Sequence, residues 1–141
     1  MPLIWLIVGI VIAPGLLAQK EQQIPVSLGD LIDGFETPAM GGFIEVPGEV
    51  EILTFTAEAG ERIFLDWGFR DRSLDTLNIR FEGPSSKVYF DALLASPVAS
   101  GVIQIVRTGL HQLVIGHPES TQIGHYTLRI HRVSAPEFFP L

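Results

Sequence analysis

The chain has 141 residues, 47% of them hydrophobic, with nine Lys+Arg against sixteen Asp+Glu for a formal charge of −7. Once an apolar N-terminal segment is set aside, that length supports one two-layer core, and the acidic balance without a Lys/Arg cluster excludes the electrostatic footprint of nucleic-acid binding. The absence of cysteine removes disulfides, thiolate metal sites, cysteine nucleophiles and a lipid-modified N-terminal cysteine, so stability has to come from packing.

Leu3 to Ile12 is an unbroken apolar run, too short for an ordinary bilayer span, and Ala13-Pro14-Gly15 breaks it before Leu16-Leu17-Ala18 and a polar stretch. Residues 1–18 therefore read as a signal peptide with Ala18 as the small residue at the cut, or as an uncleaved N-terminal anchor. Either reading carries residues 19–133 across a membrane, so the expected location is secreted, periplasmic or extracellular.

Short β-type pieces follow at Ile24 to Leu28 and Leu31 to Phe35, then a loop at Pro38 to Gly42 and a turn at Pro47-Gly48. Leu53 to Trp67 carries two alternating apolar/polar runs flanking the short connector Ala57-Glu58-Ala59-Gly60, with Gly60 free to adopt positive φ. This pattern predicts a β-hairpin, with Leu53, Phe55, Ile63, Leu65 and Trp67 facing one interior. Glu49 and Glu51 are assigned to the solvent face of the first strand. A polar connection at Gly68 to Asp75 precedes a cleanly alternating strand, Thr76 to Glu82, and Gly83 to Ser86 forms a turn.

Lys87 to Asp91 and Gly101 to Arg107 are further strands, separated by a connection at Leu94 to Ser100. Gly109-Leu-His-Gln-Leu-Val-Ile115 and Gly124-His-Tyr-Thr-Leu-Arg-Ile130 echo one another, each a strand entered through glycine. In the second, Tyr126, Leu128 and Ile130 point inward while His125, Thr127, Arg129 and His131 point out. About eight strands at regular spacing, with no sustained helical period, indicate an all-β antiparallel sandwich of jelly-roll type.

The series Gly48 to Arg62, then Leu77-Asn-Ile-Arg-Phe-Glu-Gly-Pro84, then Gly109-Leu-His and Gly124-His-Tyr-Thr-Leu128 resembles the bacterial pre-peptidase C-terminal domain family. The likeness runs from about Ile24 to Val133. It departs at Glu51, where the family often has Asp, at Leu53, where Tyr is common, and at His111, which stands in the place of a tyrosine ring. The resemblance implies a non-catalytic, exported β-sandwich, of the kind appended to secreted peptidases and in some collagenase relatives binding collagen and calcium. No peptidase domain accompanies it in this sequence.

Four histidines, His111, His117, His125 and His131, raise the question of a metal site. His125 and His131 lie six residues apart on one strand face, about 20 Å at roughly 3.3 Å per residue, so they cannot share an ion. His111 reads as a packed ring. Asp66, Asp71 and Asp75 bracket a loop and offer the oxygen ligands calcium prefers, but without the spacing of an EF-hand, and a hydrated acidic connection accounts for them. Gly-x-Ser-x-Gly, His-Glu-x-x-His and a phosphate-cradling glycine loop are all missing. No catalytic, cofactor-binding or metal residue is therefore assigned, and no cofactor is expected unless calcium binds that loop.

Residues 134–141 form an apolar tail in which Phe138, Phe139 and Leu141 either fold over a sandwich edge or dock on a partner. The resulting expectation is a non-catalytic accessory module that engages or stabilises a protein or polysaccharide at the envelope or outside the cell. The competing expectation is a calcium-dependent carbohydrate- or protein-binding domain with its ligand at Gly68 to Leu74.

Overall fold

The computed structural model describes residues 20–34, 41–69, 77–94 and 99–134. The N-terminal segment, the Gly68 to Leu74 loop beyond Phe69 with Asp71 and Asp75, and the Phe138-Phe139 tail lie outside the described residues. Among the described residues ten strands are formed: β1 Glu21–Pro25, β2 Leu31–Asp33, β3 Phe43–Ile44, β4 Val50–Ala57, β5 Arg62–Phe69, β6 Leu77–Gly83, β7 Lys87–Leu94, β8 Ala99–Gln104, β9 Gly109–Gly116 and β10 Gly124–Arg132. The first sheet has the order β1-β4-β9-β6-β7, and the second runs β2-β10-β5-β8 with β3 also paired to β10. The fold is an all-β sandwich. All pairings are antiparallel except β1 with β4, which is parallel.

Alternation in the sequence becomes burial in the structure. Leu53, Phe55 and Ala57 of β4, Ile79 and Phe81 of β6, and Leu113 and Ile115 of β9 pack against Ile63, Leu65 and Trp67 of β5 and Tyr126, Leu128 and Ile130 of β10. Each fully buried Leu, Ile or Phe side chain contributes about 1.5–3 kcal/mol relative to exposure, so this shared interior is what holds the layers together.

The hairpin expectation for Leu53 to Trp67 is corrected. β4 pairs with β1 and β9, whereas β5 pairs with β10 and β8, so the two strands belong to opposite sheets. The connector Glu58–Glu61 is an arch that carries the chain across the sandwich. Gly60 does take positive φ, at 94°, and its amide bonds the Ile105 carbonyl at 2.8 Å. The apolar residues of both runs still meet in one interior, but they meet face to face across the core instead of side by side. Two alternating runs with a glycine turn satisfy either geometry, because alternation specifies which face is buried and not which edge is paired.

Candidate functional site

Glu49 and Glu51 are the most unusual side chains of the interior. Both are only 1% exposed, which corrects their assignment to the solvent face. A buried carboxylate is costly unless its oxygens are partnered, and here three of the four oxygens accept hydrogen bonds, mainly from backbone donors, while Glu49 Oε1 has only the charge of Lys20 nearby. Gly42 N–H donates to Glu51 Oε2 at 3.0 Å and Phe43 N–H to Oε1 at 3.3 Å. The Tyr126 hydroxyl, fully inside, donates to Oε2 at 2.5 Å. Glu49 Oε2 accepts from the amides of Glu45 at 2.6 Å and Val46 at 3.2 Å, and its Oε1 lies 3.4 Å from Lys20 Nζ. Lys20 also pairs with Glu45.

These bonds connect the layers. Glu51 is carried by the start of β4 in the first sheet, with Glu49 just before that strand, whereas Tyr126 and the β3 segment belong to the second. Glu51 thus acts as a cross-sheet staple, and Glu49 fixes the turn that leads into β4. Burial pushes the Glu51 carboxyl above its ordinary value, against the lowering effect of Tyr126 and the two amides, and Glu49 adds to the rise. Burial likewise lifts the Tyr126 hydroxyl well above its ordinary value, reinforced by Glu51. Raised pKa values at a shielded site are one signature of catalysis, but these groups hydrogen-bond to one another and to backbone amides, and neither Glu51 nor Tyr126 lines the depressions described below.

His111 is fully buried, as the packed-ring reading expects. It lies among Phe55, Phe81 and Tyr89, with ring centroids 5.8, 5.8 and 5.9 Å away. Its Nδ1 sits 2.9 Å from the Gly109 carbonyl, and since a carbonyl can only accept, Nδ1 carries the hydrogen. Nε2 has no hydrogen-bond partner among the described residues. The Tyr89 hydroxyl accepts from Val106 N–H at 3.0 Å, tying β7 to the segment that leaves β8.

The remaining histidines are dispersed. His125 stacks on Phe43 at 4.1 Å with planes 5° apart, and His131 packs beside Phe64 and lies 3.9 Å from Asp66. His117 sits in the loop between β9 and β10. No group of three or more His, Cys, Asp or Glu able to hold a metal occurs among the described residues. Asp66 is exposed on β5, and its two companions in the calcium hypothesis lie outside the described residues. Two open depressions of about 540 and 300 Å³ adjoin one another on the outer face of the first sheet. A third, about 300 Å³, lies on the second sheet around Asp66, Gly68 and Arg129.

The buried acids had a signal in the sequence. Residues 49 and 51 share the odd-numbered face of Leu53, Phe55 and Ala57, so strict alternation already directs them inward. The tyrosine that meets Glu51 is 75 residues away, and no local pattern joins them.

No family model matches the sequence, and no curated protein does. Solved structures are similar in fold. The pre-peptidase C-terminal domain of a Bacillus anthracis collagenase shares 10% identity at a TM-score of 0.60, covering 81% of this chain and 99% of that domain. PliG from Aeromonas hydrophila, a periplasmic lysozyme inhibitor of g-type lysozyme, shares 11% at a TM-score of 0.58, covering 82% of this chain and 100% of the inhibitor. PliG from Salmonella Typhimurium shares 14% at 0.54, with 79% and 99% covered. The likeness to a pre-peptidase C-terminal domain read from the sequence is met in three dimensions, and the same sandwich also serves as an inhibitor scaffold.

Proposed function

We propose that this chain is a non-catalytic domain, exported from the cell, that works by binding a protein at the envelope or outside it. The observation that carries the reading is the use made of its polar interior. Glu51 and Tyr126 are consumed in a cross-sheet hydrogen bond and Glu49 in bonds to the turn just before it, and three pockets formed by described residues are open depressions on sheet faces. A reactive centre needs a nucleophile or base within reach of a bound substrate in a sheltered cleft. The fold likeness supports the same direction, since one similar structure is an inhibitor of another protein and another is a domain of a collagenase. Export rests on the apolar segment Leu3 to Ile12 with Ala18 after it.

The test is a turnover panel on the chain beginning at Gln19, using peptide, ester and glycoside substrates with and without calcium, alongside calcium calorimetry. The expected result is no turnover above buffer and no calcium heat. Turnover abolished by changing one carboxylate or histidine would overturn the non-catalytic reading. A calcium heat lost on Asp71→Asn with Asp75→Asn would replace it with the calcium-dependent binding domain.

A further inference from the structure

We propose that the outer face of the first sheet is a binding site for a short, uncharged oligosaccharide. This inference is independent of the protein-partner reading. Its basis is a continuous groove formed by two adjoining depressions that share Asn78, Asp91 and His117. Strand register builds the floor. Ile52 is opposite Val114, Val114 opposite Arg80, and Arg80 opposite Asp91, so these four side chains form one row across four strands. At about 4.8 Å between strands the row spans about 15 Å, the length of a short glycan.

The two parts of the groove differ in chemistry. Val50, Ile52, Val114 and Gly116 give one part an apolar floor, suited to the C–H faces of a sugar ring. Asn78, Asp91, His117, Glu119, Ser120, Thr121 and Gln122 line the other, where every side chain can hydrogen-bond. Sugar hydroxyls need donors and acceptors together, and this lining supplies carboxylates that accept, amides that do both, and an imidazole donor. The donor is assigned by geometry. Glu119 N–H donates to His117 Nδ1 at 3.1 Å, which leaves the hydrogen of the neutral ring on Nε2.

The loop that presents these groups is already fixed. Ser120 N–H donates to the His117 carbonyl at 2.9 Å, and Gly48 N–H to the Ser120 carbonyl at 2.8 Å. Gln122 N–H donates to Ser120 Oγ at 3.2 Å. A ligand therefore meets a formed rim and loses little affinity to loop ordering.

Charge narrows the class. Glu21, Asp91 and Glu119 face the groove with Arg80, whose guanidinium is shared between Glu82 and Asp91. The residual negative field on a chain of formal charge −7 disfavours acidic polysaccharides. A protein partner is less well matched, because the lining offers no protruding aromatic or aliphatic anchor of the kind that dominates protein interfaces. With no aromatic platform the affinity is expected to be millimolar.

Amide chemical-shift mapping of the chain from Gln19 onward, titrated with chitotriose, cellotriose and maltotriose, tests the site. At least one sugar is expected to give saturable shifts centred on Asn78, Asp91 and the 117–122 loop. Asp91→Ala is expected to weaken that binding about tenfold, while Asp66→Asn on the opposite face leaves it unchanged. Melting curves confirm that both variants fold. The proposal is overturned if no sugar saturates this face at concentrations on the order of 10 mM, or if Asp91→Ala binds like wild type. It is overturned equally if oligolysine, and none of the sugars, saturates the same residues. That last result would leave the protein-partner reading standing.

Discussion

Replacing Glu51 by alanine removes the acceptor of three hydrogen bonds, from the amides of Gly42 and Phe43 and the hydroxyl of Tyr126. The Gly42 amide and the phenol are left in the interior, where each unsatisfied group costs about 1–3 kcal/mol, while the half-buried Phe43 can regain water. The desolvation of the carboxylate is recovered, which offsets part of the loss. The net destabilisation is expected at about 3–5 kcal/mol, within the range for breaking buried charged networks and a large share of the 5–15 kcal/mol typical of a domain. Tyr126→Phe removes one bond and keeps the ring, for about 1–2 kcal/mol. Urea denaturation of wild type, both single variants and the double variant reads all three quantities, and the pair should couple by about 1 kcal/mol or more. A Glu51→Ala variant within about 0.5 kcal/mol of wild type would refute the staple.

The same carboxyl gives a pH dependence whose sign differs from ordinary acid denaturation. Its folded pKa is raised, first by burial, so the native state holds the proton more tightly than the unfolded chain. The corresponding stability is complete below the ordinary value of 4.5 and is lost as pH rises through the folded pKa. Urea midpoints of wild type should therefore fall relative to Glu51→Gln as pH increases across that window, and a parallel pair of curves would contradict it. Gly83→Ala would place a Cβ 2.9 Å from Tyr89 and 3.1 Å from His111. It should cost about 1–3 kcal/mol by overpacking, seen as a lowered melting temperature. Tyr89→Phe should cost about 1 kcal/mol in the same assay by releasing the Val106 amide, while His111→Ala, which empties an aromatic cluster, should cost about 2–4 kcal/mol.

The inward residues were legible because their period is local. Leu77 to Phe81 and Tyr126 to Ile130 announce strands within a few positions, and the two glycine-entered strands β9 and β10 fall where the repeated pattern sets them. Pairing was not legible to the same degree. The Glu58–Glu61 connector looks like a hairpin turn, and only the competition of β9 and β10 for the edges of β4 and β5 separates the two strands into different sheets. The two-residue β3 carries too little pattern to be recognised. Its place depends on β10, some 80 residues further along the chain.

The acids show a different failure. The alternation through Leu53 and Phe55 points Glu49 and Glu51 inward, but the ordinary preference of carboxylates for water argues the opposite. The preference gives way because backbone amides from the Gly41 to Gly48 loop and the Tyr126 hydroxyl converge on them. Those donors come from other elements, so the compensation is invisible in β4 itself. The sheet-face groove is hidden for the same reason, being assembled from β4, β6, β7, β9 and the loop after β9.

The most direct test of the proposed binding role is the state of the chain in the cell. Photo-reactive residues placed across both sheet faces of the full chain, expressed in its source cells and irradiated, would capture whatever it touches in the envelope or medium. One dominant protein is expected, recovered in fixed stoichiometry and cross-linked from a contiguous set of positions. A chain recovered uncross-linked from every position, or retained in the cytoplasm with no processing at Ala18 and no membrane association, would contradict it.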